Sequence, residues 1–225
     1  MECAPPYLVL YSGLAADCSV FAPQKLAFPG LVVPDWPIPN YSETLDQYAR
    51  RLAAELPKDG RLILGGASFG GIVSLHVAEH VRAHAVVLIG SVQSPSELPR
   101  YAKWARPLKS LIRYLPVRSL QSCCLPLLLL IARLQFTHLV NLMRQFQNAD
   151  PIVIKWSLMR ILDWRDCPQP TCPIVHIHGK RDHVLPMRYT NPDHVVLDGG
   201  HVLSLSNPRE VNAVIAKVIE SADMD

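Results

Sequence analysis

The chain has 225 residues, 49% hydrophobic and 18% charged, and its 22 Lys and Arg against 19 Asp and Glu give a formal charge of +3. That is ample for a substantial core, too apolar for general disorder and too near neutral for an extended nucleic-acid surface. Residues 1–225 are expected to form a single domain.

Met1-Glu2-Cys3-Ala4-Pro5-Pro6 has neither the basic nor the apolar section of an export signal. The longest apolar run, Leu125 to Ala132, contains Pro126 and falls well short of the ~20 residues a membrane span needs. Six cysteines without an export signal suit reduced thiols and a cytoplasmic location. Cys167, Cys172, His176 and His178 match no structural-zinc spacing, so neither metal nor cofactor is expected.

In chain order, Tyr7–Tyr11, Leu31–Val33, Leu62–Leu64, Ala85–Ile89, Ile174–Ile177 and Val195–Leu197 read as buried strands, short and rich in Val, Ile and Leu. Helical spacing separates them. After the second strand Leu45, Tyr48, Ala49, Leu52, Ala53 and Leu56 share one face, with Ser42 as the expected cap and Pro57 as the stop. At the end of the chain Asn207-Pro208-Arg209-Glu210 opens a helix striped by Val211, Val214, Ile215, Val218 and Ile219. The pattern predicts an α/β fold, with a mostly parallel sheet of about six strands flanked by helices. Residues 91–166 break the rhythm. Six prolines cut this segment into short helices, which predicts a helical cap inserted over the sheet.

The most informative stretch is Leu62-Ile63-Leu64-Gly65-Gly66-Ala67-Ser68-Phe69-Gly70-Gly71. It sets Gly-x-Ser-x-Gly on a strand–turn–helix, where glycines allow a turn sharp enough to expose the Ser68 hydroxyl. The following helix N-terminus favours the negative charge that develops when that hydroxyl attacks. No Lys-Ser/Thr follows the glycines, as a phosphate-binding loop requires, and the dinucleotide spacing does not fit.

At these residues the chain resembles the α/β-hydrolase superfamily over nearly its whole length, as a small serine esterase-like member with a helical cap and without the first two strands of the usual sheet. The resemblance implies the chain order nucleophile, acid, base. Asp182 follows the strand Ile174–Ile177 through Gly179-Lys180-Arg181 and takes the place of the acid. Asp163, Asp166 and Asp193 fall at the wrong end of a strand. His201, after Val195–Leu197 and Gly199-Gly200, takes the place of the base, with His183 as its competitor. The oxyanion donors implied are the backbone N–H groups of Phe69 and Leu14. Many relatives carry His-Gly before the latter, where this chain has Ser12-Gly13.

From Leu98 to Ala149 there are eight basic residues and no acidic one, while the rest of the chain carries 14 basic against 19 acidic. Three readings stay open for this segment: a solvated face, a pocket for an anionic acyl group, or contact with an anionic membrane surface. Arg100, Trp104, Phe136 and Trp156 are the candidate substrate contacts. The resemblance implies a small-molecule ester or thioester substrate and an acyl-enzyme, with no nucleic-acid partner. A cofactor-free hydrolase or lyase acting on C–C or C–O bonds with the same three side chains is the alternative. A non-catalytic ligand receptor on the same scaffold is a third reading.

Overall fold

Five short apolar segments build the sheet. β1 (Tyr7–Tyr11), β2 (Leu62–Ala67), β3 (Ala85–Ile89), β4 (Ile174–Gly179) and β5 (His194–Val196) lie side by side in chain order, each pair parallel. The structure is a computed structural model and describes residues 6–57, 61–123 and 136–224. Leu31–Val33, expected as a sixth strand, forms a single bridge outside β1. Val32 N–H donates to Leu8 O at 2.9 Å and Val32 O accepts from Leu10 N–H at 3.0 Å. The next donor in that ladder is position 34, a proline with no N–H, so the pairing stops there.

Parallel neighbours require crossovers, and these place helices on both faces, the first being α1 (Ala22–Ala27) after β1. Alternate residues of each strand face opposite sides. Val9, Tyr11 and Leu64 face a core made with α2 (Leu45–Ala53) and α3 (Phe69–Ala78). Leu8, Leu10 and Ile63 face a second core, completed by Phe21 and by the Val211, Val214, Ile215 and Val218 stripe of the C-terminal helix, Pro208–Met224. The cap of α2 is Thr44, two residues beyond the expected Ser42. Thr44 Oγ1 accepts from Gln47 N–H at 3.2 Å while Gln47 Oε1 accepts from Thr44 N–H at 3.0 Å. This reciprocal pair satisfies two donors that a cap two residues earlier would leave open.

Between β3 and β4 the described residues form helices and no strand, as the prolines predict: α4 (Arg100–Ala105), a 3₁₀ stretch (Arg106–Tyr114), α5 (Val117–Cys123), α6 (Phe136–Asn148) and α7 (Pro151–Asp163). Among the described residues no helix is long and apolar enough to cross a membrane. Helix α7 ties this cap to the sheet layers through Trp156. The indole lies 4.5 Å from the Tyr48 ring and its N–H donates to Glu43 O at 2.8 Å. Glu43 is in turn held by Arg51, with Nε at 3.1 Å and an Nη at 3.0 Å. Trp156→Ala should therefore cost about 3–5 kcal/mol, read as a lowered midpoint in urea denaturation at neutral pH; an unchanged midpoint would show that the cap is not anchored here.

Candidate active site

β2 ends at Ala67 and α3 begins at Phe69, so one residue makes the turn. Ser68 holds φ 52° and ψ −118°, a region that costs a non-glycine residue free energy and persists only where neighbours enforce it. The enforcement comes from close backbone packing. A Cβ on Gly66 would strike the Gly70 backbone, and one on Gly70 would strike the carbonyl oxygens of Tyr11 and Ser12. Ser68 N–H donates to Ile89 O at 3.1 Å, and Ser68 O accepts from Ser91 Oγ at 2.7 Å.

Two loops at the C-terminal edge of the sheet bring partners to this hydroxyl. His201 Nε2 lies 3.0 Å from Ser68 Oγ, and His201 Nδ1 lies 2.8 Å from Asp182 Oδ2. The loops meet because Gly179 has no side chain. A Cβ there would strike the carbonyl oxygens of Gly199 and Gly200. A carboxylate only accepts, so Nδ1 carries the imidazole proton and Nε2 offers its lone pair to the Ser68 O–H. Asp182 Oδ1 accepts from Val184 N–H at 2.8 Å and from Leu185 N–H at 2.7 Å. Burial pushes the Asp182 carboxyl up, but the hydrogen bond and charge of His201, together with the Leu185 N–H, outweigh it and hold the group below its ordinary value. His183, the competing base, has an exposed side chain.

Beside Ser68 runs the loop after β1. Phe69 is the first residue of α3, so its N–H has no acceptor within the helix. Gly13 packs close enough that a Cβ there would lie 3.7 Å from Ser68 Cβ, which brings Leu14 alongside. Ser12 is buried and donates to Ala16 O at 2.8 Å, while Ala16 N–H donates to Gly13 O at 3.1 Å. Ser12 thus closes the loop on itself.

A family model described as the alpha/beta hydrolase family matches residues 5–214. The chain belongs to the alpha/beta hydrolase family. No curated protein matches the sequence. Among solved structures, a thermophilic esterase from Thermogutta terrifontis superposes with a TM-score of 0.75 at 20% identity, over 98% of this chain and 91% of that one. MenH from S. aureus gives 0.74 at 16% identity, over 99% and 97%. The enol-lactonase from Burkholderia xenovorans LB400 gives 0.74 at 18% identity, over 96% and 92%. At these identities the likeness shows the fold.

Several contacts around this alpha/beta hydrolase site have no local signature in the sequence. Gly90 takes φ 52°, and a Cβ there would come within 2.9 Å of His201 O. Tyr101 of the cap donates its hydroxyl to Val184 O, in the turn that holds Asp182. Two fully buried histidines, adjacent on one face of β4, back the acid. His178 Nε2 donates to Leu185 O at 2.8 Å and stands 3.4 Å from Asp182 Oδ2, and its Nδ1 is 3.1 Å from His176 Nε2. A neutral His178 with its proton on Nε2 must accept at Nδ1, so His176 donates to it. His176 N–H donates to Asp193 Oδ2 at 2.8 Å. The alternation His-Ile-His in a strand is the one signal that could have placed both rings together.

The candidate substrate contacts are dispersed. Arg100 is exposed and Trp104 is 76% exposed on the cap surface, whereas Trp156 is sealed in the core beside Phe69. Phe136 begins α6, and its side chain lies outside the described residues.

Burial, reinforced by the neighbouring His178, lowers the His176 pKa from 6.5 to about 4. Between those values the unfolded chain binds a proton that the folded chain refuses, so stability falls as pH drops from 6.5 to 4. This one group accounts for about 3 kcal/mol of that loss. In urea denaturation across this range, His176→Gln should flatten the slope by about that amount; an unaltered slope would mean that His176 is protonated in the fold.

Proposed function

We propose that the protein is a serine hydrolase that cleaves carboxylic esters or thioesters through an acyl-enzyme. One observation carries the reading: the unbroken hydrogen-bond chain from Ser68 Oγ to His201 at 3.0 Å and from His201 to Asp182 at 2.8 Å, built on a serine held at φ 52°. The relatives named as an esterase and an enol-lactonase accord with this class.

In the proposed reaction Ser68 Oγ attacks the acyl carbon as its proton passes to His201 Nε2. The imidazolium is stabilised by the ionised Asp182, which stays charged because its carboxyl is held below its ordinary value. The oxyanion accepts from the N–H groups of Phe69 and Leu14, each such donor contributing about 3 kcal/mol in the transition state. His201 then gives its proton to the departing alkoxide or thiolate. Water, deprotonated by His201, attacks the acyl carbon, and the Ser68–acyl bond breaks with return of the proton to Ser68. Trp156, packed edge-on 6.3 Å from the Phe69 ring, acts in this reading through that residue rather than by touching substrate. The reading treats residues 1–225 as one domain in which the segment from about 91 to 166 shapes the substrate site.

Ser68→Ala should lower kcat/KM for a short p-nitrophenyl ester at least ~10⁴-fold, and Asp182→Asn about 10⁴-fold in kcat. A fluorophosphonate adduct located by mass spectrometry should sit on Ser68. His201→Ala should abolish its formation while His183→Ala leaves it. Turnover surviving in Ser68→Ala, or an adduct elsewhere, would sink the assignment. Labelling at Ser68 without turnover across an ester and thioester panel would turn the reading towards C–C or C–O substrates.

A further inference from the structure

We propose that the first part of the cap, α4 and the 3₁₀ stretch after it, is a docking surface for an anionic lipid membrane. Tyr101 and Trp104 stand three residues apart on α4. Leu108, Leu111 and Tyr114 follow at intervals of three along a 3₁₀ helix, in which such residues eclipse and form a row. All five are exposed, Trp104 at 76% and Tyr114 at 71%. The opposite side is anchored: Ala102 and Ile112 are buried, and the element packs against α7. The exposed apolar area is on the order of 500 Å², at the size that marks an interaction site on a monomer.

Charge selects the occupant. Arg100 and Arg113, and Arg118 at the start of the adjoining α5, are exposed with no acidic partner among the described residues, and Arg113 lies 5.1 Å from the Tyr114 ring centre. The other cations of this segment are engaged, Lys103 with Ser96 O, Arg106 with Trp164 O and Lys109 with Asp163. Residues 98–149 contain no acidic side chain, so nothing there repels a negative surface. An apolar row ending in Trp and Tyr and flanked by unpaired arginines is the composition of a helix lying in the headgroup layer of an anionic membrane. A nucleic acid would not account for the exposed leucines. The surface also adjoins the site, since Tyr101 donates to Val184 O in the turn whose N–H groups hold Asp182. Docking would thus bring the turn that holds Asp182 close to the headgroup layer.

Trp104 is the one exposed tryptophan of the four; Trp156 and Trp164 are buried and Trp36 partly so. Full-length protein should co-sediment with phosphatidylcholine vesicles containing phosphatidylserine, and its tryptophan emission should shift to the blue. Vesicles of phosphatidylcholine alone should bind at least about tenfold less, and high NaCl should release the protein. Arg113→Gln/Arg118→Gln should weaken binding about thirtyfold, and Leu108→Ser/Leu111→Ser at least about tenfold, with circular dichroism unchanged. Trp104→Phe should remove the blue shift. The proposal fails if phosphatidylserine vesicles are not bound, if the neutral vesicles bind equally, or if binding survives both double variants. It fails too if light scattering shows a dimer that both double variants dissolve, since the face would then be a self-interface. Binding is read without turnover, so the result is independent of the role proposed for Ser68.

Discussion

The site depends on the packing of backbone on backbone at the turn between β2 and α3. A residue at φ 52° sits in a high-energy conformation, and nothing in Ser68 itself favours it. It is imposed by strand β2 and helix α3 meeting with only one residue between them. That closeness exists because Gly66 and Gly70 leave no side chains to keep the Gly70 backbone and the Tyr11 carbonyl away. The same constraint recruits β1. Tyr11 pairs in register with Gly66, so the chain leaving β1 must pass beside Ser68, and Leu14 comes with it. One steric condition thereby sets the hydroxyl, the start of α3 and the neighbouring loop.

The second half of the site is electrostatic. Asp182 is a buried carboxylate, which is costly unless donors surround it. Two backbone N–H groups and His201 supply them. The two histidines behind it are kept neutral by burial, which penalises a positive charge there and outweighs the pull of the nearby carboxylates. His178 therefore holds the acid's turn through Leu185 O without bringing a competing positive charge. The negative charge of Asp182 is left facing His201, which is where the proposed reaction would need it.

The cap divides its work. Its buried side, through Trp156, Tyr48 and Glu43, belongs to the core beside α2 and α3. Its outer side concentrates exposed aromatic and aliphatic residues with cations, on a chain whose remainder is mildly acidic. The two sides meet at Tyr101, exposed yet bonded to the turn behind Asp182. Surface and site are therefore adjacent in a way that neither composition nor spacing could show.

Local chemistry made much of this legible. Strands buried on both faces must be continuous apolar runs, so β1 and β3 could be read residue by residue, and glycines flanking a serine at a strand–helix junction identified the turn. Where competition between neighbours decided the outcome, reading along the chain was less sharp. Pro34 cut the segment at Val32 to one bridge, and Gln47 made Thr44 a better cap than Ser42. Chain order singled out Asp182 and His201, but the approach of His201 to Ser68, the Gly90 clearance beneath His201 and the Tyr101–Val184 contact arise between segments far apart in sequence. By itself the sequence determined the elements and the residue types that could react, because propensity, periodicity and glycine sterics act over a few residues. Only the tertiary structure decided which side chains meet, which face water and which proton each imidazole carries, because burial and hydrogen-bond geometry exist only once the segments are packed.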